Sequence, residues 1–234
     1  MSLHPDVVLM LKETKIFILF LLVFAVALFV YDISQSAEPN HRATVLVQLM
    51  SGEREMSHGS GTYISPTKIL TAAHVIPETL SGSVIMVTDR DGDSREAKLL
   101  WANKEFDVAV IQTEERGDSF SDVTCSELPI GTKLKATGYP FDLGFVESPL
   151  SIIGDNRPIT NPDGSPRWGD AVLVEGVVGA GMSGGAVWLD GKIAGIVVGM
   201  RWGQSMFGPV MGAPSGFALL TSGPALCNLL KGDV

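Results

Sequence analysis

The sequence predicts an all-β fold of two antiparallel barrels, with a short helix at the C-terminal end and an apolar helix near the N-terminus. Three observations carry this reading. From Ala43 onward, apolar residues recur with period two in about eleven short runs, the spacing of half-buried strands. Clusters of Gly, Asp and Pro separate the runs, and glycine reaches 26 of 234 residues against a usual ~7%. No helical pattern alternates with the strands, which argues against a parallel α/β sheet.

The apolar helix comes first. Ile16 to Tyr31 carries no charge, with Lys12 and Lys15 before it and Asp32 and Glu38 after it. Basic residues stay on the cytoplasmic side, so the rest of the chain is expected to be exported, to the periplasm or the cell exterior. The stretch lies between the ~20 residues of a spanning helix and the ~7–15 of a signal core. It reads as a retained anchor or as a signal peptide cleaved near Ser34, Ser36 and Ala37. Residues 32–41 are polar, contain Pro39 and read as a linker.

The first strands are expected at Ala43–Met50, Gly59–Ile64, Val84–Asp89, Ala97–Trp101 and Val108–Gln112. The second set is Lys133–Thr137, Val146–Ile153, Ala171–Val174, Ala186–Leu189, Ile193–Met200 and Gly216–Leu220. Asp190-Gly191 between apolar runs signals a tight hairpin. Residues 114–130 are polar, contain Pro129 and form the expected seam between barrels of about 42–113 and 131–221. Ser222 reads as the N-cap of a terminal helix through residue 231, with Pro224 in its first turn.

The formal charge is −9. No basic run interrupts it, which excludes nucleic acid as a partner. Four histidines and two cysteines are too few for a repeated zinc module, and there is no CxxC.

Gly181-Met182-Ser183-Gly184-Gly185 is the sharpest chemical signal. Flanking glycines permit a tight turn that aims successive N–H groups at one point, as an exposed nucleophile and its oxyanion site need. The motif also fits the G-x-S-x-G elbow, but that arrangement takes its histidine after the serine. No histidine follows His74. Upstream, His74 follows the apolar Leu70–Ala73 and Asp107 opens the strand Val108–Gln112, which fills the order His, Asp, Ser. His58 is the rival base; Asp89, Asp91 and Asp93 are rival acids that read as a solvated loop.

These segments resemble the trypsin-like serine proteases, and most closely the bacterial Deg-type (high-temperature-requirement) branch. The resemblance rests on Gly59–Pro66 with Ile69–Val75, on Phe106–Gln112, on Ala136–Phe141, on Ser183–Val187 with Gly191–Val198, and on Gly216–Leu220. It covers roughly residues 43–230 and implies the chymotrypsin-like fold of two six-stranded barrels. It implies a serine endopeptidase acting on polypeptides through an acyl-enzyme, with His74 as base, Asp107 as orienting acid and Ser183 as nucleophile. The backbone N–H groups of Gly181 and Ser183 would form the oxyanion hole, and no metal or cofactor is implied. The runner-up reading is a catalytically idle protease-fold binding module at the membrane.

The resemblance also places the wall of the substrate pocket at Val177, Val178 and Ala180 and at Val197, Val198 and Gly199. None is charged, which implies cleavage after a small or medium apolar residue. Cys125 lies in the seam and Cys227 in the terminal helix. Export permits a disulfide, and in the resembled fold the helix packs near the linker, which implies pairing; two isolated thiols are the alternative. The chain departs from the family pattern at Met182, where Asn or Asp is usual. It also lacks an Ile-Val-Gly-Gly activation end, and too few residues follow the terminal helix for a PDZ domain.

Overall fold

The computed structural model describes residues 18, 20–24, 38–77, 82–141, 143–160, 166–205 and 208–231. Residues 18 and 20–24 are helical and exposed. Most of the apolar stretch 16–31 lies outside the described residues. Among the described residues no helix is long and apolar enough to cross a membrane.

The first barrel is closed from β1 (Thr44–Ser51), β2 (Arg54–Tyr63), β3 (Lys68–Thr71), β6 (Val108–Thr113), β5 (Ser94–Asn103) and β4 (Val84–Thr88), in that order around the ring. Its core follows from alternation. In β1 the buried apolar side chains are Val45, Val47 and Leu49, two apart along one face of the pleat. In β6 every residue from Val108 to Ile111 is buried, because this strand is covered on both faces.

The second barrel runs β7 (Lys133–Gly138), β8 (Val146–Ile152), β10 (Pro166–Gly176), β13 (Gly208–Ser222), β12 (Lys192–Ser205) and β11 (Ala186–Leu189). Pairing of β10 with β13 closes it, and β9 (Arg157–Thr160) adds to the outer part of β10. Asp190 and Gly191 join β11 to β12 with φ of 49° and 72°. Both angles are positive, as the tight primed hairpin turn requires.

The structure extends several of the expected strands: β2, β5 and β10 begin earlier, at Arg54, Ser94 and Pro166. The β12–β13 hairpin continues to Ser205 and Gly208, well beyond Met200 and Gly216. Register shifts at three points along it break the period-two pattern, which hides the pairing from a sequence reading. β9 was not expected; it is four residues long and mostly exposed, so no apolar face marks it.

Helix α1 (Gly223–Leu230) follows β13, and the Ser222 side chain accepts the Ala225 N–H at its start. A disulfide joins Cys227 of this helix to Cys125 of the inter-barrel segment, closing a separation of 102 residues. Such a link stabilises chiefly by restricting the unfolded chain.

The two barrels share a core. Trp188, Ile193, Ile196, Val198, Leu219 and Leu226 from the second half pack into the same buried cluster as Val45, Leu70 and Ile111. Inside the contact, Trp188 Nε1 donates to Thr137 Oγ1 at 2.7 Å, and that hydroxyl meets Thr44 Oγ1 at 2.8 Å. These buried polar groups are satisfied by one another.

Residues 38–43 brace the second barrel from outside. His41 Nε2 meets Glu147 Oε2 at 2.6 Å, Lys135 approaches Glu147 at 3.2 Å and also pairs with Glu38. Burial raises the Glu147 carboxyl, but the hydrogen bonds from His41 and Lys135 outweigh it and hold it below the usual carboxylate value. A depressed carboxylate stabilises the fold above its unfolded pKa and loses that contribution as pH falls. The wild type should therefore lose more melting temperature than Glu147→Gln between about pH 6 and pH 3, a difference of up to about 1 kcal/mol for a partly exposed cluster. Equal slopes in a melting series would refute it.

Candidate active site

Three chain segments meet where the barrels touch. The first is the turn Ala73–Val75 after β3, which carries His74. The second is the entry to β6, which carries Asp107. The third is the turn from Gly179 to Gly185, which carries Ser183.

Asp107 is 2% exposed and holds His74 twice. Its Oδ1 accepts the His74 backbone N–H at 2.8 Å and its Oδ2 meets His74 Nδ1 at 2.5 Å. The Ala73 N–H bonds the Asp107 carbonyl at 3.1 Å. Asp107 itself sits at φ 55°, a left-handed conformation that Asp tolerates better than bulkier residues. This strained position is fixed by its neighbours, as the Thr221 hydroxyl holds the preceding carbonyl of Phe106 at 2.6 Å. The His74 ring is 47% exposed, so its far edge faces solvent while Nδ1 is committed.

The serine turn is built by backbone bonds. Met182 N–H donates to Gly179 O at 3.0 Å, and Gly181 has φ 96°. Together these define a type II turn, whose third position favours glycine. The Ala180 carbonyl accepts Phe141 N–H at 2.9 Å. Carbonyl and N–H point opposite ways across a trans peptide, so the Gly181 N–H is turned away from Phe141. Ser60 Oγ fixes the next peptide by donating to Gly181 O at 2.7 Å while accepting Tyr139 N–H at 2.9 Å. Among the described residues, neither the Gly181 nor the Ser183 N–H has an acceptor.

Close approach brings the serine turn to the histidine turn. Ser60 N–H donates to Ser183 O at 2.7 Å, and a Cβ on Gly59 would lie 2.8 Å from that oxygen and 2.5 Å from the Val75 side chain. Gly184, at φ 82°, abuts Ser60 O and Ala72 N, leaving no space for a side chain. Ser183 is half-buried, and among the described residues its hydroxyl has no hydrogen-bond partner.

Met182, the departure from the family pattern, is 1% exposed and packs with Val178, Val187 and Val197 inside the second barrel. An apolar side chain thus anchors this turn by burial. The rival acids have other work: Asp89 pairs with Arg95 at 2.8 Å and accepts the backbone N–H groups of Asp91 and Asp93. His58 is engaged with Glu55 at 2.7 Å.

Six residues were expected to wall the substrate pocket. Val178, Val197 and Val198 are core residues, between 1% and 3% exposed. Val197 and Val198 are neighbours in β12 and point to opposite faces, each into a different buried cluster, while Val178 packs inward from the segment before the serine turn. Val177 and Ala180 are exposed and Gly199 is half-buried, so these three present surface beside the serine turn. Ser60 was missed as a site residue, because a serine between two glycines looks like a turn. A separate cavity of about 270 Å³ opens at the far side of the second barrel, lined by Leu128, Leu134, Ile152, Leu220 and Pro224. None of the residues lining it belongs to these three segments.

The chain matches the family model of the trypsin-like peptidase domain over residues 59–200. It is 31% identical over 149 residues to a probable periplasmic serine endoprotease, DegP-like, of Rhizobium meliloti, across 61% of this chain and 28% of that protein. It is 30% identical over 145 residues to a probable periplasmic serine protease, do/HhoA-like, of Haemophilus influenzae, across 59% of this chain and 30% of that protein. The chain spans less than a third of the length of these relatives. Among solved structures it is similar to the active form of the Rv3671c protease from M. tuberculosis, with TM-score 0.66 and 20% identity over 82% of this chain and 81% of that one. It is also similar to a serine endoprotease from Yersinia pestis, with TM-score 0.62 and 22% identity over 82% and 62% of the two chains. These structural likenesses concern the fold. The family match takes in the β2 glycines, His74, Asp107 and Ser183 within more than half of the sequence, and the chain belongs to the trypsin-like peptidase domain family.

Proposed function

We propose that this chain is an exported serine endopeptidase that cleaves polypeptides through an acyl-enzyme. The observation that carries the proposal is the His74–Asp107 pair, held by two hydrogen bonds beside a serine turn whose Gly181 and Ser183 N–H groups have no acceptor. Ser183 Oγ attacks the scissile carbonyl and gives its proton to His74 Nε2. Asp107 keeps the proton of His74 on Nδ1 and stabilises the imidazolium that forms. The two N–H groups receive the developing oxyanion. His74 then protonates the leaving amine, and water repeats the cycle to release the acyl group.

Val177, Ala180 and Gly199 leave an uncharged surface on the acyl side, which supports cleavage after small or medium apolar residues. Export rests on the apolar stretch 16–31 with its preceding lysines, retained as an anchor or cleaved, and agrees with the periplasmic relatives.

The test is labelling with a fluorescent fluorophosphonate. The wild type should label, and Ser183→Ala should not. A folded wild type that stays unlabelled would sink the proposal and favour a protease-fold binding module.

A further inference from the structure

A second histidine–carboxylate pair lies beside the serine turn, and the proposed reaction does not use it. Gln48 and His58 face each other across β1 and β2. Along β2, Glu55 pairs with Met50 and Ser57 with Leu49, so Met56 is an extra residue in the strand. Such a bulge shifts the side-chain alternation by one and re-aims its neighbours. It puts Glu55 on the face of Gln48 and His58. Glu55 Oε1 meets His58 Nδ1 at 2.7 Å, and Gln48 Nε2 donates to Glu55 Oε2 at 2.5 Å. Burial raises the Glu55 carboxyl, but the bonds from Gln48 and His58 outweigh it and hold it below the usual value.

The pair touches the reacting centre from a defined side. A Cβ on Gly181 would lie 3.0 Å from His58 Nε2. The next residue, Gly59, packs on Val75, which follows His74. His74 delivers the proton to the leaving amine, so the departing half of the substrate passes this edge; the acyl half lies against Val177, Ala180 and Gly199. With Nδ1 held by Glu55, the ring nitrogen of His58 left for another partner is Nε2, on the side of the serine turn. Arg54 and Glu53 at the hairpin tip offset each other in charge, and among the described residues the Glu55 carboxylate is held by Gln48 and His58.

We propose that Glu55 and His58 form a binding site for a cationic, hydrogen-bond-donating side chain, Lys or Arg, in the first two residues after the scissile bond. The inference rests on the proposed endopeptidase reading, and the experiment separates the two. Full-length protein is assayed on quenched peptides that share one acyl half and carry Lys, Arg, Ala or Asp after the cut. Wild type should prefer Lys or Arg over Asp by about tenfold in kcat/KM. Glu55→Gln and His58→Leu should each bring that ratio to within about twofold of one, and the ratio is insensitive to overall losses of activity. A wild type without charge preference, or a preference that survives in either variant, overturns the proposal. Aminocoumarin amides of the same acyl half carry no residue after the bond. Their cleavage, and its loss in Ser183→Ala, reports the endopeptidase reading alone.

Discussion

Asp107→Asn should lower turnover by about 10⁴ while leaving the fold intact. The argument starts from the two bonds that Asp107 accepts. Its Oδ1 takes the backbone N–H of His74, and that donor cannot be changed by substitution. In the variant the amide oxygen must therefore stay on the backbone, because the amide nitrogen would place donor against donor there. The NH₂ group then faces His74 Nδ1, where a carboxylate oxygen now lies at 2.5 Å. Two donors cannot meet, so Nδ1 must give up its proton and the neutral ring carries it on Nε2. An Nε2–H cannot accept the proton of Ser183. Asn occupies the left-handed backbone region as readily as Asp, so the φ of 55° at this position is preserved. Steady-state kinetics beside a thermal melt checks this. An unchanged kcat would show that His74 is not the base, and a large loss of melting temperature would show a structural role for Asp107 instead.

Legibility in the sequence followed the side chains that do one thing at a time. β1 and β8 lie near their expected bounds because one face is buried and the other is not. The serine turn, His74 and Asp107 stand out in the sequence because few other residues can supply that chemistry in that order, and the structure pairs His74 with Asp107. Three kinds of feature could not be read. β9 has no buried face to mark it. The β12–β13 hairpin shifts register repeatedly, so its apolar residues lose their period. The pocket wall is a different case: a run of valines before and after the serine reads equally as core or as binding surface, and the structure buries Val178, Val197 and Val198. Met182 departs from the family pattern, and the sequence does not show what surrounds it. In the structure its side chain is buried in the second barrel and anchors the turn from the inside.

Ser60 shows how a residue outside the proposed triad sets the chemistry. Its hydroxyl is fully buried and bridges the barrels, donating to Gly181 O and accepting Tyr139 N–H. Ser60→Ala leaves both groups buried without a partner, at a cost of about 1–3 kcal/mol each. The cheaper response is for the Gly181–Met182 peptide to rotate, since Gly181 resists rotation less than any residue with a Cβ. That rotation takes the Met182 N–H off Gly179 O and opens the type II turn, which loosens the Gly181 and Ser183 N–H groups on either side, the two proposed oxyanion donors. Loss of one such donor costs about 10²–10³ in turnover. The variant should show a kcat lower by that factor and a KM within about threefold, because the donors act more strongly on the transition state than on bound substrate. A peptide boronate, which mimics the tetrahedral intermediate, should weaken in parallel with kcat. A loss of melting temperature with unchanged kcat would mean that the Met182–Gly179 and Phe141–Ala180 bonds hold the turn alone. Equal losses in KM and boronate affinity would instead make Ser60 a support of ground-state binding. The expected pattern, kcat and boronate together against a steady KM, assigns the hydroxyl to the geometry of the oxyanion turn, where the first barrel reaches across to fix the second.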